Sequence, residues 1–450
     1  MKVHILGICG TFMGGIAAIA RAKGYQVSGS DQNIYPPMSD QLESMGITLS
    51  GGYDDVLTDD VDQYIVGNVM RRGMPIIESL LREKQSYVSG PQWLGEQVLR
   101  HRQVFAVSGT HGKTTTSSML AWILQDNGLA PGFLIGGVSP HFELSARLGE
   151  GQPFVIEADE YDSAFFDKRS KFLHYFSNVL VMNNLEFDHA DIFDDLKAIQ
   201  KQFHHAVRTV PDDGLIIYNA DDENVKDVLK MGCWTPSWSF GSTSDADYRI
   251  CSDTQGNNFQ LMCHGNVCAE VIWGISGQHN QYNATAAMLA AQRAGISLSE
   301  SALSLSRFKN VKRRQELVGE VAGIQVYDDF AHHPTAIAAT LKAFRQAHPD
   351  KRLVIILEPR SNSMRAGVHA HALPAALAAA DLVHIVANDN VKWPEPVVSA
   401  FAEQSVQMNS SVTELLQKLN QQLQSDDVVV FMSNGGFDQA PTRLLEQLHD

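Results

Sequence analysis

Cysteine is scarce in this chain, occurring five times in 450 residues, at positions 9, 233, 251, 263 and 268. An odd, scattered set is not a disulfide framework, and a chain this long needs none, so the usage favours a reducing compartment. Cys263 and Cys268 bracket His264, but no second ligand pair follows at finger-like spacing, so they read as ordinary thiols. Long apolar runs are also missing: nothing reaches the roughly 18 residues of a membrane span. The opening Met-Lys leads into an apolar stretch broken by Gly7 and Gly10, which fits a secretory signal poorly. The expected location is the cytoplasm, without membrane insertion. Basic residues are outnumbered, 35 against 51 acidic, giving a net charge of −16. With no basic stripe, a nucleic-acid partner is excluded, and any phosphate-bearing ligand must be held by a local site. Neither an internal repeat nor a low-complexity tract occurs.

The hydrophobic fraction is 44%, with 8% aromatics, which is ordinary for a globular enzyme. Because a single core stops growing near roughly 250–300 residues, the length implies two or three domains. Three stretches read as α/β units, each opening with a short apolar strand that runs through turn chemistry into a helical pattern. The first has a strand at 3–8, a Gly-rich turn, a helix at 15–23, a strand ending at Asp31 and a further strand at 64–67. The second has strands at 104–107, 154–156, 179–182 and 215–218, and a helix entered at Lys113. Short alternating runs from Trp238 to Trp273 suggest a small antiparallel patch, and an alanine-rich helix at 283–293 ends before Gly295. The third has strands at 325–328, 353–357, 383–386 and 428–432. Strands alternating with helices imply parallel, doubly wound sheets. The expected domains are 1–102, 103–314 and 315–450.

The most informative segment is Gly109-Thr110-His111-Gly112-Lys113-Thr114-Thr115, placed between a buried strand and a helix. In that setting backbone N–H groups cradle phosphate, Lys113 brings a point charge to the β and γ oxygens, and Thr114 offers its hydroxyl to Mg2+. The general P-loop pattern asks for glycine at position 107, where this chain has Val107. Two strands then end in acidic clusters, Glu157-Ala-Asp-Glu160 and Asn184-Leu-Glu-Phe-Asp-His189. Carboxylates at the C-terminal ends of parallel strands face the ligand crevice, and Glu and His there suit a magnesium ion that keeps its substrate phosphates.

These segments resemble the Mur ligases of cell-wall synthesis, and the resemblance runs the length of the chain. It is carried by Gly7-Ile-Cys-Gly10-Thr11-Phe-Met-Gly14-Gly15, the phosphate loop, and the two acidic clusters. It continues through Gly277-Gln-His279-Asn280 with Asn283, Arg313-Arg314, and Asp328-Asp329-Phe-Ala-His332-His333-Pro334. The family fold is three-domain α/β: a Rossmann-like N-terminal domain that binds a UDP-sugar, a central P-loop ATPase domain, and a C-terminal Rossmann-like domain contributing to ATP and peptide binding. Within the family the chain looks closest to the branch joining UDP-N-acetylmuramate to L-alanyl-γ-D-glutamyl-meso-diaminopimelate in wall-peptide recycling. That likeness rests on residues 183–203, Ser89-Gly-Pro-Gln-Trp93 and Glu358-Pro-Arg360-Ser361-Asn362. The branch that adds L-alanine to the same UDP-sugar shares most of the motifs and remains the alternative.

The resemblance implies a set of roles, with ATP and Mg2+ as cofactors. Lys113, His189 and His332 are catalytic, and Thr114, Glu157 and His189 hold metal. The 109–115 loop, His279, Asn280, Arg314 and Asp329 bind ATP. Gly7, Gly10, Thr11, Gly14 and Asp31 bind the UDP-sugar, while Arg360 and Ser361 face the murein tripeptide. The N-terminal turn is not Gly-x-Gly-x-x-Gly, since Cys9 and Thr11 interrupt it. Many relatives carry a carbamylated lysine downstream of the metal histidine; Phe203 and His204 occupy that stretch here, so none is expected. Two other classes compete: a nucleotide-gated regulatory protein, and a nicotinamide-dependent dehydrogenase supported only by the N-terminal βαβ and Asp31. The second leaves the 109–115 loop unexplained.

Overall fold

The runs that are apolar at every position, such as Val179–Met182 and Leu353–Leu357, form strands buried on both faces, as parallel sheets covered by helices require. The computed structural model describes residues 1–449 except 36–37, 55–56, 58–59, 189, 191, 254–255, 388–390, 392, 394 and 404–405. Among the described residues, no helix is long and apolar enough to cross a membrane.

The N-terminal sheet is parallel, in the order Thr48–Gly51, Gln26–Asp31, Lys2–Leu6, Gln63–Val66, Tyr87–Ser89. Strand order reverses at Lys2–Leu6, so the crevice opens beyond Leu6, beside Gly7 and Gly67. The following helix spans Thr11–Ala22, starting ahead of the expected position 15. Gly14 and Gly15 therefore lie inside it, and both serve close packing. A Cβ on Gly14 would lie 2.6 Å from Met38 Sδ, and one on Gly15 3.0 Å from Ala146 Cβ.

The central sheet has ten strands, with Gln103–Ser108 between Val179–Met182 and Pro153–Ala158, both parallel to it. The alternating stretch after Trp238 is not a separate patch. Ser237–Gly241 pairs in parallel with Leu215–Asn219 and with Tyr248–Ser252, and the antiparallel pairing of this stretch begins beyond it, where Phe259–Cys263 lies between Tyr248–Ser252 and Asn266–Val271. Helices Lys113–Asp126 and Gln278–Arg293 cover one face, meeting through buried small residues such as Thr116, Ser117, Ala284 and Ala287.

In the C-terminal sheet the last strand, Val428–Met432, inserts between Ile324–Asp329 and Leu353–Leu357, all parallel. Glu316–Val321 adds an antiparallel edge. One apolar cluster runs from Ile16 and Ala20 of the first unit to Leu134 and Phe154 of the second. Gly95 tightens that junction, since a Cβ there would sit 2.0 Å from the His174 carbonyl oxygen. The C-terminal unit keeps separate clusters on the two faces of its sheet. The first two units are thus fused through apolar packing, whereas the third meets them through polar groups.

Candidate active site

The loop after Gln103–Ser108 turns through Gly109 (φ 142°) and Gly112 (φ 81°) before the helix begins at Lys113. Glycine is required at the second turn on two counts: the left-handed backbone, and Asn283 Oδ1 only 2.3 Å from where a Cβ would stand. Gly112 caps the helix without a side chain, which leaves the first-turn N–H groups of the helix facing the loop. Asn184 pins the loop on both sides. Its Oδ1 accepts the His111 N–H at 2.7 Å, and its Nδ2 donates to the His111 carbonyl at 3.1 Å. Thr110 is tied to the same strand end, accepting the Glu186 N–H at 2.9 Å. A backbone anion cradle is therefore held rigid from below.

Lys113 Nζ donates to the Gly109 carbonyl at 2.7 Å and lies 3.6 Å from Asp159 and 3.8 Å from Glu160. Burial pulls this ammonium down, but Glu160, Asp159 and Glu157 outweigh it and hold it above its ordinary value. Glu157 is buried beside the Thr114 hydroxyl and accepts the Gly136 N–H at 2.7 Å. Burial, then the charge of Asp159, push its carboxyl up. His189 lies outside the described residues.

A cavity of about 390 Å³ opens from this loop toward the C-terminal unit, lined by His111, Thr115, His279, Asn280, Arg314 and Asp329 among others. Asn280 donates to the Ser276 carbonyl at 2.8 Å, and burial with the nearby Arg314 lowers His279 to about 4. Asp329 is buried, and burial raises its pKa although Arg314 opposes the shift. Both its oxygens accept backbone N–H groups, from Gln315 and Ala331, each at 2.8 Å. His332 donates from Nδ1 to the Phe330 carbonyl at 3.0 Å and is lowered to about 4 by burial. Its neighbour His333 makes the cross-unit contact: Nδ1 lies 3.2 Å from Glu186 Oε2 and also caps the helix Pro334–Ala347. His111 Nε2 is 3.2 Å from the same carboxylate oxygen. The donor atoms of His111, Glu186 and His333 lie within 4.8 Å of one another, but the His333 nitrogen is taken by the helix cap. Ser363 reaches across to Asp188 at 3.1 Å. Arg360, beyond the strand Leu353–Leu357, is half exposed with Glu358 at 3.9 Å, while Ser361 Oγ accepts the Met364 N–H and caps a short helix.

A second cavity, of about 340 Å³, lies at the N-terminal switch point, lined by Gly7, Gly10, Thr11, Asp31, Gly67 and others. Asp31 Oδ2 accepts the Cys9 N–H at 2.9 Å, so the acid at the end of one strand fixes the Gly-rich turn after its neighbour. Burial and then Asp31 push Tyr53 up to about 12. Gly14 does not line this cavity; it faces Met38.

Several site residues carried no weight in the sequence reading. Gly136-Gly137 abuts Glu157 and Thr114, and Gly435 abuts Arg360, whose Cδ would be 2.2 Å from an added Cβ. Both follow apolar strands, the signal already read at Gly7 and Gly109. Lys171 has no such signal: it comes from the central unit and lines the N-terminal cavity.

Three α/β units with a P-loop facing one inter-unit cavity and a second cavity at the N-terminal switch point define a multidomain P-loop enzyme of nucleotide-dependent chemistry. The Mur ligase catalytic-domain description matches residues 2–102, the Mur ligase middle domain residues 107–291, and the glutamate ligase domain residues 313–435. The chain belongs to the Mur ligase family and is an ATP-dependent, amide-forming ligase. It is 48% identical over 449 residues to a UDP-N-acetylmuramate–L-alanyl-γ-D-glutamyl-meso-2,6-diaminoheptandioate ligase of Haemophilus influenzae, covering 99% of each chain. The Escherichia coli ligase of that name is 48% identical over 450 residues, covering 100% of this chain and 98% of that one. A crystal structure of a murein peptide ligase from Psychrobacter arcticus covers the whole chain, and 99% of its own, at 44% identity with a TM-score of 0.76.

Proposed function

We propose that this enzyme joins the carboxylate of UDP-N-acetylmuramate to the amine of L-alanyl-γ-D-glutamyl-meso-diaminopimelate, working in the cytoplasm on recycled wall peptide. The observation that carries the choice of acceptor is sequence identity: 48% over the full length to ligases named for the tripeptide, against 28–35% over 80–100% of the chain to ligases named for L-alanine. A carboxylate does not acylate an amine at neutral pH, so it is activated first. A carboxylate oxygen attacks the γ-phosphorus of ATP and ADP leaves; the amine then attacks the acyl carbon, and phosphate departs with one former carboxylate oxygen.

In this reading the 109–115 loop and Lys113 hold the phosphates and meet charge developing on the transferred group. His279, Asn280, Arg314 and Asp329 hold the rest of ATP, His332 closes the site, and Gly7, Gly10, Thr11 and Asp31 hold the UDP-sugar. Arg360 and Ser361 face the peptide. The Thr114 hydroxyl and buried Glu157 carboxylate form an all-oxygen donor pair, which suits a hard cation. Thr114 and Glu157, with His189 as a further ligand, would hold Mg2+, which would supply positive charge to the phosphates. The boundaries of this division of labour are 1–102, 103–314 and 315–450.

The test is product identification by mass spectrometry with ATP, Mg2+ and UDP-N-acetylmuramate, offering tripeptide or L-alanine separately. The tripeptide conjugate is expected to form with far higher kcat/KM. Preference for L-alanine would overturn the choice of acceptor and leave the ligase class standing.

A further inference from the structure

On the reading above, the N-terminal cavity takes an anion in a molecule of strongly negative charge, yet among the described residues its own unit brings only an acid, Asp31, as a charged lining residue. The cation comes from elsewhere. Lys171, at the start of a short helix in the central unit, is 7% exposed and is the one cationic side chain among the described residues lining that cavity. Its Nζ stands 4.6 Å from the ring centroid of Phe12, on the N-terminal helix, and 5.2 Å from that of Tyr161. Two ring faces hold the ammonium at the wall of the cavity that Thr11 also lines, where the helix begins behind Gly10 without a side-chain cap.

A buried ammonium needs countercharge, and what this one has is shared. Asp159 Oδ2 lies 3.4 Å from Lys171, while Oδ1 of the same carboxylate lies 3.6 Å from Lys113 of the phosphate loop. One carboxylate thus links the lysines of the two cavities, leaving the Lys171 charge part-compensated and turned toward the UDP-sugar side.

We propose that Lys171 is a substrate-binding residue of the ligase, receiving an anionic group of the UDP-sugar acid across the junction of the first two units, with Asp159 joining it to the phosphate-loop lysine. The proposal rests on the reading of the N-terminal cavity as the UDP-sugar site. The anion is a diphosphate or the sugar-acid carboxylate, which present the same charge-assisted acceptor to an ammonium.

Calorimetric titration of Lys171→Met and Lys171→Gln with UDP, UDP-N-acetylmuramate and ATP tests it, using two neutral stems so that one misfolded variant does not end the test. Loss of one charge-assisted contact should weaken UDP-N-acetylmuramate by roughly tenfold to a hundredfold. ATP affinity should stay within about twofold of wild type, since its cavity keeps Lys113. An equal loss for UDP assigns the contact to the diphosphate; retained UDP affinity assigns it to the carboxylate. A folded variant binding UDP-N-acetylmuramate like wild type, or losing ATP equally, overturns the role of Lys171. Failure of wild type to bind UDP-N-acetylmuramate would instead sink the function proposed above.

Discussion

Lys113 has four carboxylates raising its pKa, yet its ammonium is turned back on its own loop at the Gly109 carbonyl. A group held charged and placed beside a backbone anion cradle is suited to charge that develops during reaction rather than to packing. Lys113→Ala should lower kcat by about 10²–10³ with an unchanged circular dichroism spectrum, because one preorganised donor is lost. Near-normal ligation by the folded variant would remove the role. Burial holds His332 at about 4 against an ordinary 6.5, so between those values the unfolded chain binds more protons than the folded one. Its contribution is therefore present above about pH 6.5 and lost as pH falls toward 4. Glu157 and Asp329, raised by burial, act in the opposite sense, so the measurement must be differential. The fall in urea midpoint from about pH 7.5 to about pH 5 should be smaller in His332→Gln than in wild type; equal falls would contradict the assignment. Of the paired histidines, the sequence could not say which reaches the neighbouring unit. The structure brings His333 to Glu186, because His333 caps the helix that faces it while His332 bonds back to Phe330.

The elements that build the site are strand ends and the glycines that follow them. Strands apolar at every position, such as Val179–Met182 and Val428–Met432, were legible because burial on both faces leaves no polar residue to blur their ends. The helix start at Thr11 was not, because Gly14 and Gly15 look like turn residues until Met38 and Ala146 are seen pressing on them. The continuation of the central sheet through Ser237–Gly241 depends on a parallel partner, Leu215–Asn219, across the helix Glu223–Lys230, which alternation alone cannot reveal. In the phosphate loop, Gly112→Ala should abolish ATP binding, since its backbone is left-handed and Asn283 fills the space, while UDP-N-acetylmuramate still binds. Asn184→Ala, which removes both hydrogen bonds to His111, should raise the KM for ATP by roughly tenfold. Unchanged ATP titration of Gly112→Ala, or an unchanged KM for Asn184→Ala, would mean that the loop does not hold the nucleotide.

Across the molecule, the first two units share an apolar cluster and the third does not. The third meets them through polar contacts such as Ser363 to Asp188 and His333 to Glu186. Its entry segment carries two non-glycine residues with left-handed backbone, Arg313 (φ 61°) and Gln315 (φ 51°). A polar interface joined by a short irregular segment permits rigid-body motion, and closing it excludes water from a hydrolysable acyl phosphate. ATP and UDP-N-acetylmuramate together should therefore reduce the radius of gyration in small-angle scattering. An unchanged value in protein shown to bind both would argue for a preformed site. In the proposed reaction, ATP energy passes through the sugar-acid carboxylate into an amide with the tripeptide. Supplying UDP-N-acetylmuramate labelled with oxygen-18 in its carboxylate, together with ATP, Mg2+ and tripeptide, tests this by mass spectrometry of both products. The expected products are the tripeptide conjugate and, for each conjugate formed, one phosphate carrying a single oxygen-18 atom. Unlabelled phosphate, released without conjugate, would show that water rather than the carboxylate receives the phosphoryl group and would rule out activation of the sugar acid.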